Sequence, residues 1–181
     1  MKKQTLWLTS TALMLALLIT LQSVTRGLGQ IATGTCVNAV LAVSTLLIGL
    51  SGGLTVALLS PIFAFLLGIA PQLVTVPAIM AGNAAFVLVL SVVGGRSQSI
   101  IRRIAAWLTS SAAKFAVLHI LVVRIICGTA SSMLMAQGIL KAPMLDKLPA
   151  MFTWPQLITA LIGGGLALLI TPIINKALHR R

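Results

Sequence analysis

The chain has 181 residues, of which 59% are hydrophobic and 8% charged, against roughly 25% charged in ordinary soluble domains; its mean hydropathy is +1.11. These figures exclude a soluble globular domain, a disordered chain and a disulfide-stapled secreted domain. Thirteen Lys and Arg stand against a single acid, Asp146, for a formal net charge of +12. So few carboxylates remove paired-carboxylate hydrolysis, acidic proton relays and carboxylate metal sites. What remains is an all-α polytopic membrane protein, because the apolar runs are long and continuous rather than short and alternating.

A spanning helix needs about 20 mostly apolar residues, and six stretches qualify. The first runs from about Leu6 to Val24 behind Lys2 and Lys3. That start imitates a secretory signal, but no A-x-A-like site follows it cleanly and further spans come after, so cleavage is not expected. The second runs from about Ile31 to Leu50, where Ser51-Gly52-Gly53 reads as a turn. The third covers Leu54 to Ile69, with a kink expected at Ser60-Pro61. Pro71 and Pro77 bracket the next turn, and the fourth span covers Leu73 to Val93, closed by Gly94-Gly95. The fifth runs from near Ile104 to Cys127 or a little beyond. The segment from Gln137 to Thr153 is the longest polar connection. Thr153-Trp154-Pro155 then reads as an N-cap and first-turn proline for the sixth span, which ends near Asn175. The chain forms a single membrane domain.

Six spans place both termini on one side. With the N-terminus inside, Lys2, Lys3, Arg96, Arg102, Arg103, Lys176, Arg180 and Arg181 are cytoplasmic, and Arg26, Lys141 and Lys147 are outside. The excess on the first side favours an N-in, C-in bundle. In a soluble protein this charge would point to nucleic acid; here the basic residues flank spans, and no nucleic-acid partner is expected. Trp7, Trp107 and Trp154 fall at predicted span ends, where indole rings prefer to sit. Cys36 and Cys127 form no CxxC and read as packing residues. No residues have metal-ligand spacing, no cofactor is implied, and no Gly-rich phosphate loop occurs. If ATP drives transport, another chain supplies the ATPase.

Two cations lie inside the fifth span, where charge is costly. Lys114 is near mid-depth and Arg124 is in the outer third. At 100° per residue they are about 80° apart, which lets both border one cavity. No carboxylate is placed to pair with Lys114. Either the two line a polar cavity for an anionic or acceptor-rich ligand, or Arg124 snorkels and Lys114 is locally solvated or deprotonated. Asn83, between small residues in the fourth span, either binds ligand or bridges helices. His119, about 140° from each cation, reads as a helix-bridging residue. The outer turn Arg26-Gly27-Leu28-Gly29-Gln30-Ile31-Ala32-Thr33-Gly34-Thr35, followed by Asn38, has the glycines and polar groups of a gate, or of any solvated turn. Ala12 and Ala16 lie on one face of the first helix and permit close approach of another helix, inside the bundle or from a partner.

Taken together, six spans, a basic N-terminus, Ala12-xxx-Ala16, the Gln30-Ile-Ala-Thr-Gly…Asn38 turn and polar fourth and fifth helices resemble the substrate-binding S component of an energy-coupling factor (ECF) transporter. The resemblance spans nearly the whole chain and is architectural. It implies a subunit that is not itself an enzyme and that binds a vitamin, a vitamin precursor or a related micronutrient near the outer surface. Such a subunit assembles in a prokaryotic cell membrane with a transmembrane coupling subunit and two ATPases. It implies that Ala12 and Ala16 face the coupling subunit and that the turn around Gly29 to Thr35, with Gln30 and Thr33, is the gate. Asn38, Asn83, Arg124, Gln72 and Gln156 then line the pocket, with Lys114 at its floor. The missing tyrosines and acids argue against an aromatic cage for a cationic vitamin. The competing readings are a small secondary transporter, a membrane-embedded enzyme using His119 and Lys114, and a ligand-free scaffold.

Overall fold

Every regular element among the described residues of the computed structural model, 2–69, 72–95 and 99–178, is helical. Pro71, assigned above to the turn before the fourth span, and Arg96, Arg180 and Arg181, assigned to the inner side, lie outside the described residues. Helix α1 spans Lys2–Thr25 and is followed by a 3-10 turn, Arg26–Leu28; α2 is Gln30–Ile48 and α3 is Leu50–Leu66. A second 3-10 turn, Leu73–Thr75, leads into α4, Val76–Gly94. Helix α5, Ile100–Leu118, continues without a break as a π-helical segment, His119–Thr129. Short helices α6, Ser131–Ala136, and α7, Met144–Phe152, precede α8, Trp154–Leu178. Five stretches, Lys2–Leu28, Gln30–Ile48, Leu73–Gly94, Ile100–Thr129 and Met144–Ala177, are long and apolar enough to cross a membrane, while α3 is a shorter apolar helix of 17 residues.

Two expectations about connections are corrected. The Ser51-Gly52-Gly53 stretch is not a turn but the first turn of α3, and the chain reverses at Gly49, with φ +100°. Only glycine adopts that φ without strain. Gly52 and Gly53 instead let α3 lie close to α2. A Cβ on Gly52 would stand 2.5 Å from Ile48 Cγ2, and one on Gly53 would meet Thr45 Oγ1. The polar connection from Gln137 to Thr153 contains α7, whose Leu148 and Phe152 are buried. Its apolar residues recur at helical spacing, so it folds as an amphipathic helix despite Asp146 and Lys147. Pro77 sits in the first turn of α4, a position that needs no N–H donor. Pro61 stays inside a continuous α3.

Helix α2 is the centre of the bundle and packs against α1, α3, α4 and α8, while α5 packs on α4 and α8. Leu18, Leu41, Val56, Phe86, Val87, Ala160 and Ala167 form the main core. A second cluster, built from Leu118, Val122, Leu140, Leu148 and Phe152, seats α7 on the π-helical segment. Three buried hydroxyls in the helices are satisfied locally: Ser44 donates to Val40 O, Thr45 to Leu41 O and Thr171 to Ala167 O. Trp107, expected at a span end, packs against α8. Its indole donates to Leu161 O at 2.9 Å and lies on Gly164 and Gly165 of α8.

Close approach of α2 and α8 depends on glycine. A Cβ on Gly163 would stand 2.5 Å from Thr35 O and 2.7 Å from Ala39 N, and backbone atoms cannot swing aside. We expect Gly163→Ala to destabilise the protein by about 1–3 kcal/mol, read as a lower melting temperature in detergent. Gly27→Ala, where nothing stands within 4 Å of the added Cβ, serves as the control; equal losses in both would refute the packing role.

Candidate functional site

The end of the bundle where α1 and α3 finish and α2, α4 and α8 begin encloses a cavity of about 400 Å³. That is within the range of roughly 300–1,000 Å³ usual for small-molecule sites. Gln22 and Arg26 line it from α1 and its following turn, and Gly29, Gln30, Thr33, Gly34 and Val37 from the start of α2. Ser60, Pro61, Ala64 and Ile69 line it from α3 and the segment after it, Ile79 and Asn83 from α4, and Lys114 from α5. Met151, Phe152 and Gln156 close it from α7 and α8.

Lys114 is 3% exposed, about 21 Å along α5 at 1.5 Å per residue. Its Nζ donates to Asn38 Oδ1 at 2.6 Å and to Asn83 Oδ1 at 2.7 Å. It also lies 6.0 Å from the centroid of Phe86. Asn38 in turn donates through Nδ2 to Gly34 O at 2.9 Å and to Thr159 Oγ1 at 3.2 Å. This network ties α2, α4, α5 and α8 together at the cavity floor. Asp146, the one acid in the chain, is exposed on α7 and does not line the cavity.

Of the residues singled out in the sequence, Asn83, Lys114, Gln30, Thr33 and Gln156 line one cavity. Asn38 is fully buried behind it and holds Lys114. Thr33 acts locally, donating to Thr25 O at 3.0 Å and Gly29 O at 3.1 Å, which staples the end of α1 to the start of α2. Gln156 donates to Met151 O at 3.1 Å. Arg124 is a correction: it is exposed and not among the lining residues. The 80° estimate assumed α-helical phase throughout, whereas His119–Thr129 is π-helical. Each π turn closes on i+5, so the chain advances less per residue and Arg124 falls behind that phase. Gln72 also lies outside the lining; its backbone oxygen accepts from Thr75 Oγ1 at 2.7 Å. His119 makes its contact through rings: it lies 5.8 Å from Phe115, which stacks on Trp154 of α8 at 5.9 Å.

Two polar lining residues were missed in the sequence. Gln22 shares the buried stripe of α1 with Thr11 and Leu18, and its Oε1 has no hydrogen-bond partner. Ser60 is 1% exposed and its Oγ is likewise unpartnered. A glutamine on the helical phase of Leu18 was the available signal for the first. Ser60 was read only as part of a kink. Ala12 and Ala16 are exposed on α1, outside the core. No family model, curated protein or solved structure matches the chain.

The floor predicts a specific stability pattern. Asn83→Leu leaves Lys114 short of an acceptor and is expected to cost about 1.5–3 kcal/mol, the range for hydrogen bonds to charged groups. Adding Lys114→Met removes the group that needed the partner but leaves Asn38 Oδ1 unpaired, so the double variant should lose less than the sum of the two single losses in thermal or chemical denaturation in detergent. Additive losses would refute the pairing.

Proposed function

We propose that this chain is the membrane-embedded substrate-binding subunit of an ECF-type importer for a vitamin, a vitamin precursor or a related micronutrient. The observation that carries the reading is the cavity at one end of the bundle, lined by polar side chains from several helices and floored by a buried lysine. A scaffold has no use for such a void, and polar groups converging on an otherwise apolar cavity are what a small-molecule site requires. His119 and Lys114 do not form an acid–base pair around it, since Lys114 lines the cavity and His119 does not. We therefore assign no catalysis to this chain; ATP hydrolysis belongs to two partner ATPases.

In this reading α3 crosses with the five longer stretches to make six spans, and both termini lie in the cytoplasm of a prokaryotic cell. Arg26 and Lys141 are then external, and Arg102, Arg103 and Lys176 internal, in line with the charge bias of membrane proteins. The cavity opens outward at Arg26 and Gly29, both exposed. The link from α1 to α2 gates it, with Gly29 at φ +90° as the flexible point. Ala12 and Ala16 offer the coupling subunit a face on which helix backbones approach closely.

Ala12→Trp and Ala16→Trp are expected to abolish uptake by cells that also express the coupling subunit and ATPases. Substrate binding by the isolated chain should survive, because both positions are exposed in the chain alone. Loss of binding together with uptake would assign the alanines to packing within the bundle.

A further inference from the structure

The cavity walls differ in what they ask of a ligand. The α4–α5 wall presents Lys114, a donor with no acceptor capacity. Two of its three N–H groups go to Asn38 and Asn83, and among the described residues no protein acceptor takes the third. Both acceptors are neutral amides, so the countercharge that a buried cation calls for is missing from the chain. Across the cavity, α1 and α3 pack on each other and present Gln22 and Ser60. These side chains are 9% and 1% exposed, and each has an oxygen without a partner. An amide and a hydroxyl both donate and accept, so this wall fits a neutral polar edge and repels neither end of it. Among the described residues the only other cation on the lining is Arg26, which is exposed at the rim, where solvent and salt screen it.

We propose, resting on the substrate-binding reading above, that the ligand is a small organic monoanion: its carboxylate is seated on Lys114, and a neutral hydroxyl- or amide-bearing edge is held by Gln22 and Ser60. The carboxylate completes the lysine's third hydrogen bond and supplies the missing negative charge. The neutral edge satisfies two oxygens that are otherwise buried and unpaired, each worth more inside the cavity than in water. A cation would meet two positive groups and no acid. A dianion or phosphate ester would bring a second negative charge, and among the described residues the lining holds no second buried cation to meet it.

The test uses the purified full-length chain in detergent and thermal stabilisation by a panel of small metabolites. The panel is divided into monocarboxylates with a hydroxyl or amide, dianions including phosphate esters, neutral compounds and cations. Stabilisation by members of the first group is expected. Their affinity should fall about 10- to 100-fold in Lys114→Met, about 3- to 10-fold in Gln22→Leu or Ser60→Ala, and less than about 3-fold in Arg26→Gln. Lys114→Gln replaces Lys114→Met if the latter does not fold, judged by its melt without ligand. Stabilisation confined to cations, neutral compounds or dianions would overturn the monoanion assignment while leaving the chain a substrate-binding subunit. The same holds for monocarboxylate binding that is lost in Arg26→Gln and kept in the lysine variants. Stabilisation by no group would overturn the binding reading as well.

Discussion

A lysine held by two amide oxygens, in a chain with one exposed acid, sets the terms for this bundle. The contacts of Lys114 with Asn38 and Asn83 require α2, α4 and α5 to converge within hydrogen-bonding reach at one depth. Glycines beside both amides make that convergence possible. Gly34, one turn before Asn38, lies where a Cβ would come within 3.0 Å of Thr159 on α8. Gly82, next to Asn83, lies where a Cβ would meet Leu118, one turn beyond Lys114, at 2.6 Å. Polar floor and small-residue seams are therefore one device. Apolar burial alone gives little drive to bring helices together in lipid, so close backbone approach and interhelical hydrogen bonds carry more of the specificity.

The helical class and most helix positions were legible, because hydropathy over about 20 residues is a strong signal. The errors have separate physical causes. Glycine in the sequence does not say whether it turns the chain or lets another helix close in; Gly49 does the first, and Gly52 and Gly53 do the second. Charge in the segment around Asp146 and Lys147 masked the helical period of α7, and so hid Met151 and Phe152 as cavity walls. Uniform α-helical phase was assumed through His119–Thr129, and a π-helical run there turned Arg124 away from the cavity.

The candidate site was legible as far as it rested on cost. Lys114 and Asn83 stand out because a charge or an amide in an apolar span is expensive and so needs a reason. Asn38 was noted for its neighbours, yet its contribution is to hold the lysine from behind. Gln22 and Ser60 escaped notice because a single polar residue near a helix end, or beside a proline, has common local explanations. Only the meeting of α1 and α3 around one void shows that neither oxygen is satisfied locally.

Helix α1 occupies a distinctive place in this arrangement. It packs on α2 and α3, its buried stripe ends in Gln22 at the cavity, and a different face carries Ala12 and Ala16 outward. The staple from Thr33 to Thr25 O fixes its far end to α2. A partner docking on the alanines would thus press on the same rigid helix that carries Gln22. A ligand joining Gln22 to Lys114 would brace that helix against α5. In the proposed importer, occupancy of the cavity and engagement of the coupling subunit then act on one helix. Such coupling requires only that docking favour one position of α1, because a ligand and a partner that bias the same element are linked by thermodynamic necessity.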